Sequence, residues 1–302
     1  MDAAHLGLIA GLGVAALSAT TSLLVRFAGA RIPAITLNAW RCTVAALIFL
    51  PLWLVNSGTV PDGWTILWIG LSVLFSIVIG DTSFFLAIKK IGVSKATPIA
   101  KSFPVFTVSL SWLFLQEAVG PLKLLGVALA VGGTALMSQR APGSVIAAAQ
   151  EGEEERQSAR DHWVGFAIAI GTALAWAVGT VVLRVSLTNA DVITVSLFKT
   201  IIAGSILWTL SGPVDHLPVR AVLRNRTNFL LALATGITLA GAGLLLVYSI
   251  SVVGAGAAAV YAGLAPLFAV PLGMLIFKER MGISAGIGSV LAVAGVICVS
   301  MG

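Results

Sequence analysis

A carboxylate and an ammonium stand where charge is costly: Asp81, after Ile77-Val78-Ile79-Gly80, and Lys101, after Pro98-Ile99-Ala100, both within long apolar runs. In the middle of a bilayer a charged side chain costs at least about 2.5 to 3.5 kcal/mol, so each must face water, protein or a partner. Their spacing suggests the partner. The two are symmetric about residue 91, inside the short turn Lys90-Ile91-Gly92. In an antiparallel hairpin both then lie about ten residues, roughly 15 Å, from the turn and at one depth. The chemistry open to them is that of a solute pathway, with Lys101 meeting an anionic group of a substrate and Asp81 holding Lys101 or exchanging a proton. A static ion pair that orients two helices satisfies the same sequence.

The elements that position them follow from composition. The 302 residues are 58% hydrophobic and 10% charged, with a mean hydropathy of +1.04, whereas a soluble domain is about a quarter charged. A water-soluble globule is excluded. The apolar residues gather into blocks of about 18 to 24, each long enough to cross a hydrocarbon core of about 30 Å. Backbone groups in lipid must be paired within the segment, which selects helices, and a β-barrel would show short alternating segments instead. The expected fold is all-α and integral to the membrane, with ten helices near residues 6–27, 34–55, 64–88, 95–115, 121–138, 162–185, 192–211, 229–250, 256–277 and 281–301. Trp53, Trp64, Trp163 and Trp208 fall near the expected helix ends, where an indole sits between lipid and headgroups.

The run ending in Ala28-Gly29-Ala30 is similar to a signal peptide, but the start Met1-Asp2-Ala3-Ala4-His5 lacks a positive n-region. Cys42 and Cys298 lie in separate expected helices, and His5, His162 and His216 lie at helix ends or in loops. No disulfide framework, metal set or cofactor site is expected, and no nucleophile with a base marks a catalytic residue.

The chain repeats itself. At an offset of 158, Gly7 meets Gly165, Gly13 meets Gly171, Arg26 meets Arg184 and Arg41 meets Lys199. At an offset of 162, Gly92 meets Gly254, Ala96 meets Ala258, Pro104 meets Pro266, Phe106 meets Phe268, Glu117 meets Glu279, Gly126 meets Gly288 and Gly133 meets Gly295. The four-residue change falls in a loop, where insertions are tolerated. Residues 1–138 and 162–302 thus read as two five-helix repeats, joined by a solvated linker, 139–161, with Glu151, Glu153, Glu154 and Glu155. Five is odd, so the second repeat enters the membrane from the other side, an inverted arrangement that gives two nearly equivalent conformations.

The repeat sorts the remaining candidates. Asp81 and Lys101 are matched by Gly243 and Gly263, so that pair belongs to one half, as a substrate site allows. Arg26, Arg41, Arg184 and Lys199 recur, which favours snorkelling or capping of carbonyls; Arg41 and Lys199 lie deeper and remain candidates for a cavity. Glu117, beside Lys123, and Glu279, beside Lys278 and Arg280, read as interfacial pairs or as gates. Pro98, Pro104, Pro266 and Pro271 fall within expected helices, where proline kinks the segment, and the symmetric Pro104 and Pro266 are candidate hinges. Gly7 with Gly11, and Gly282 with Gly286, give small-residue faces for close helix approach, compatible with a homodimer.

The stretch Gly80-Asp81-Thr82-Ser83-Phe84-Phe85-Leu86-Ala87-Ile88, Pro98, and Pro104-Val105-Phe106 followed by Glu117, with Ala265-Pro266-Leu267-Phe268 and Glu279 in the second half, resembles the EamA-type branch of the drug/metabolite transporter superfamily. The resemblance covers essentially the whole chain. It implies ten helices around a central cavity between the halves, and secondary active transport of a small metabolite, without indicating which.

Fifteen of the eighteen Lys and Arg residues lie on the side of the odd-to-even connections. The positive-inside rule places that side, with the linker, in the cytoplasm of a multi-pass plasma-membrane protein. Anionic lipid accounts for the pI of 9.8 without nucleic acid. The expected function is a secondary active exporter of a small polar metabolite working by alternating access, its partners the substrate and the bilayer. A membrane scaffold or channel component is the alternative, and it would tolerate neutralisation of Asp81 and Lys101.

Overall fold

Helices account for almost every described residue. The computed structural model describes residues 3–29, 31–56, 58–137, 159–215, 219–268, 271–272 and 283–302. In order these form α1 (Ala3–Gly29), α2 (Ala34–Val55), α3 (Gly63–Val73), a π-helical segment (Leu74–Asp81), α4 (Thr82–Ala100), α5 (Phe103–Leu115), α6 (Pro121–Met137), α7 (Ala159–Ser186), α8 (Val192–Asp215), α9 (Val219–Arg224), α10 (Arg226–Gly263) and α11 (Ile283–Met301). Six stretches among them are long and apolar enough to cross a membrane, and three shorter apolar helices accompany them. The chain is therefore a multi-pass membrane protein. Large apolar side chains such as Leu54, Trp112, Phe114 and Val290 lie on its exterior, as a lipid solvent permits.

The expected boundaries shift in two places, for related reasons. Helix α10 runs on where two helices, 229–250 and 256–277, are expected, but at Gly254 the backbone leaves helical geometry (φ 84°, ψ 169°). The contacts show the chain folding back there. Along α1, Gly13 packs on Leu245 and Gly7 on Val253, while Gly11, between them, packs on Tyr261. Helix α4 likewise runs through Lys90-Ile91-Gly92, where a turn is expected. A straight helix would hold Asp81 and Lys101 about 30 Å apart, yet both line one cavity, so the chain doubles back within α4.

The other shift concerns the prolines. The helix expected over 95–115 is interrupted at Lys101-Ser102, and Pro104 stands in the first turn of α5. There its missing N–H leaves no bond unmade, so it starts a helix rather than kinking one. Pro266 repeats the arrangement behind a turn at Leu264. The hydrogen bonds match at the offset of 162: Ser102 N–H donates to the carbonyl of Ile99 as Leu264 N–H does to that of Tyr261, and Val105 N–H donates to Ser102 as Leu267 N–H does to Leu264.

Packing repeats in the same register. A Cβ on Gly126 would lie 2.6 Å from the carbonyl oxygen of Gly295, and one on Gly133 would lie 2.5 Å from that of Gly288, so α6 and α11 cross antiparallel with backbones in contact. These are the four glycines paired by the repeat, each meeting the counterpart of the other. Gly7 against Val253 is matched by Gly165 against Ile91. The Gly7 and Gly11 face is thus used inside the chain, against α10. Gly286 has open space beside it, and Gly282 lies outside the described residues.

Candidate functional site

Between α1, α2, the π segment, α5, α7, α8 and α10 lies a cavity of about 290 Å³, lined by Asp81, Lys101, Phe103, Trp176 and Lys199 among a largely apolar wall. Each polar side chain arrives by a distinct device. Asp81 ends the π segment, and such wide turns inside a helix are frequent at functional sites. Lys101 sits in the break before α5, where no regular helix constrains it. Lys199 projects from α8, a helix packed against α2.

The expected direct pairing of Asp81 with Lys101 is replaced by a bridge. The indole N–H of Trp176, on α7, donates to the Asp81 carboxylate at 3.0 Å, and the ammonium of Lys101 stands 5.0 Å from the centre of the same ring. A cation over an indole face is attracted by its quadrupole, by about 2 kcal/mol or more when desolvated. Phe84 and Phe103 pack against the indole and fix its plane. Gly80 makes room for it. A Cβ at that position would fall 2.5 Å from the indole Cδ1 and 2.9 Å from the carbonyl oxygen of Phe75.

Asp81 is within electrostatic reach of three cations, Arg41, Lys101 and Lys199. Arg41, adjacent to the cavity residue Cys42, donates through Nη1 to Asn38 at 2.7 Å, while its buried Nε has no partner. The repeat-related Arg41 and Lys199 therefore meet around one carboxylate. They do not go to separate interfaces. Trp176 is absent from the sequence-based candidates. Its signal was a tryptophan at mid-helix, where an indole N–H in lipid needs an acceptor. Trp208, expected near a membrane surface, instead donates to Thr43 Oγ1 at 2.9 Å and packs on Trp40.

Glu117 also departs from expectation. Rather than pairing with Lys123, it accepts from the N–H groups of Ala255 (2.7 Å) and Gly256 (3.1 Å), while Lys123 donates to the carbonyl of Ala118. Gln116, in the left-handed conformation (φ 54°), turns the chain so that Glu117 faces α10. Arg184 donates to the carbonyl of Ser251 at 3.1 Å, on the other side of the Gly254 break. A break in a helix makes one N-terminus and one C-terminus. Here a carboxylate meets the first and a guanidinium the second. Glu279, Lys278, Arg280, His216 and the linker residues 139–158 lie outside the described residues, as do the side chains of Arg26, Pro98 and His162.

The model of the EamA-like transporter family matches this sequence twice, over residues 5–139 and 163–301. The chain belongs to the EamA-like transporter family. A relative of similar length from Archaeoglobus fulgidus, described as an uncharacterized transporter, is 26% identical over 251 residues, spanning 83% of this chain and 82% of that one. A crystal structure resembles this EamA-like chain with a TM-score of 0.78, covering 98% of this chain and 96% of that one at 19% identity, which is a likeness of fold. This EamA-like protein is thus a membrane transporter.

Proposed function

We propose that this chain is a secondary active transporter that exports a small polar metabolite from the cell by alternating access between two inverted five-helix repeats. In this reading α3, the π segment and the first half of α4 make one crossing, the second half of α4 with α5 makes the next, and α10 contributes two, which brings the count to ten, five from each of the two stretches matched by the family model. The antiparallel crossing of the repeat-related α6 and α11 supports the inversion. The basic odd-to-even connections face the cytoplasm.

The observation that carries the reading is the makeup of the cavity. Asp81 and Lys101 come from the first half, Trp176 and Lys199 from the second, and they meet in one apolar-walled chamber. A site shared in this way changes its access when one half rocks against the other. Untargeted metabolite profiling inside and outside cells producing wild type, Lys101→Met or Asp81→Asn is the test. A solute moved outward by wild type and retained with either correctly inserted variant supports it. Equal redistribution by wild type and both variants removes the site from the mechanism.

A further inference from the structure

We infer that the solute is a small organic anion bearing two negative charges, bound between Lys101 of the first half and Lys199 of the second. The inference rests on the cavity being the transport site. It begins from charge balance. Three cations, Arg41, Lys101 and Lys199, surround one carboxylate, so with ordinary ionisation the protein leaves two positive charges unmatched. In a low-dielectric interior unmatched charge is expensive, and a bound counter-ion relieves it.

The partners already present are unequal. Asp81 is engaged by the indole of Trp176 and Lys101 stands over that ring. The Lys199 ammonium lines the cavity with no hydrogen bond or ion pair to a described residue. Arg41 keeps a buried, unpartnered Nε just behind the wall. Helix α5 also begins at the cavity, with Phe103 in the wall, and Ser102 places no side-chain cap on its first turn. The positive end of a helix dipole at the cavity wall strengthens the preference for negative charge. Most of the remaining lining, Val14, Ile77, Leu239 and Leu246 among it, is apolar, interrupted by hydroxyls such as those of Ser18 and Thr200, so the solute carries a short hydrocarbon body. Dicarboxylates and phosphate monoesters share this chemistry.

The anion would also link the halves. One charged group on Lys101 and another on Lys199 join a residue of each repeat across the cavity, so binding favours the conformation in which both lysines reach it.

The experiment uses the purified full chain in two formats: thermal unfolding in detergent, and uptake into proteoliposomes. The probes are succinate and glycerol 3-phosphate as dianions, butyrate as a monoanion, 1,4-butanediol as the neutral control and putrescine as the cation. One or both dianions should raise the unfolding temperature and enter proteoliposomes, and which does so separates the carboxylate from the phosphate. Lys199→Gln should weaken dianion binding by about tenfold or more, as the loss of a charge-assisted hydrogen bond predicts, with Lys199→Arg restoring most of it. Unfolding of each variant without probe establishes that it folds. Dianions that stabilise the protein without crossing the bilayer would keep the anion site and overturn its reading as the transport site. Uptake of butanediol or putrescine above that of protein-free liposomes, in preference to both dianions, would keep transport and overturn the inference. No stabilisation by either dianion would also overturn it.

Discussion

An indole N–H at the centre of a membrane has no water to turn to, and in this transporter it finds Asp81. Phenylalanine in place of Trp176 would keep an aromatic face beneath Lys101 while removing the donor together with the smaller ring of the indole. We expect Trp176→Phe to lose about 1 to 3 kcal/mol of stability, the consequence of leaving a buried acceptor unsatisfied, and to lower transport more than Phe84→Leu does. Thermal unfolding together with a flux assay would show this, and unchanged values in both would remove the bridge from the account. Outside the membrane, Asp191 precedes α8. Its burial raises its pKa, but hydrogen bonds from Thr194 Oγ1 and from the N–H groups of Thr194 and Ile193 outweigh that and hold it below the usual range. A depressed carboxylate stabilises the fold above its unfolded pKa of about 4, and that stability is lost as pH falls through the folded value. Unfolding temperatures should therefore drop in the acid range, and Asp191→Asn should flatten that drop.

At the scale of elements, the breaks at Gly254 and at Lys101-Ser102 expose backbone groups that a continuous helix would pair, and the chain supplies partners for them. Glu117 and Arg184 satisfy the two ends made at Gly254. Alanine at Gly254 meets two obstacles, a positive φ that disfavours any Cβ and a contact at 2.6 Å with the Glu117 carboxylate. We expect Gly254→Ala and Glu117→Ala each to destabilise the protein by about 1 to 3 kcal/mol. Their effects should not add, since either one undoes the same cap, and a double-mutant cycle measures this directly. Additive losses would show the cap and the glycine to be independent. At Gly80, one residue before the π segment ends, alanine would press on the indole and on the carbonyl of Phe75. Gly80→Ala should therefore reproduce the transport defect of Trp176→Phe although residue 80 carries no polar group.

On the scale of the whole molecule, first elements of each half pack on middle elements of the other, and α6 and α11 meet backbone to backbone through Gly126, Gly133, Gly288 and Gly295. A valine at Gly133 would have to displace the carbonyl of Gly288, 2.5 Å from its Cβ, and the neighbouring backbone of Ala292. Overpacking of this kind costs about 1 to 3 kcal/mol, and backbone cannot yield as a side chain does. Gly133→Val is thus expected to lower the unfolding temperature clearly, whereas Gly132→Val, with nothing near its Cβ, should leave it almost unchanged.

Much of this architecture was legible in the amino-acid order. Long apolar blocks dictate helices because lipid offers no other partner for the backbone, and paired glycines and prolines at offsets of 158 and 162 mark the repeat. The intramembrane charges were legible too, because each is expensive enough to demand a reason. What stayed hidden were the partners. Asp81 accepts from Trp176, 95 residues away, and Glu117 from Ala255, 138 residues away, and neither spacing has a period that a sequence reveals. The gathering of Arg41, Lys101 and Lys199 around one carboxylate depends on α2 crossing α8 and on the chain doubling back within α4. Periodicity and hydropathy are local properties that the chain carries residue by residue. Charge compensation is a property of points in space, and only the folded helices bring those points together.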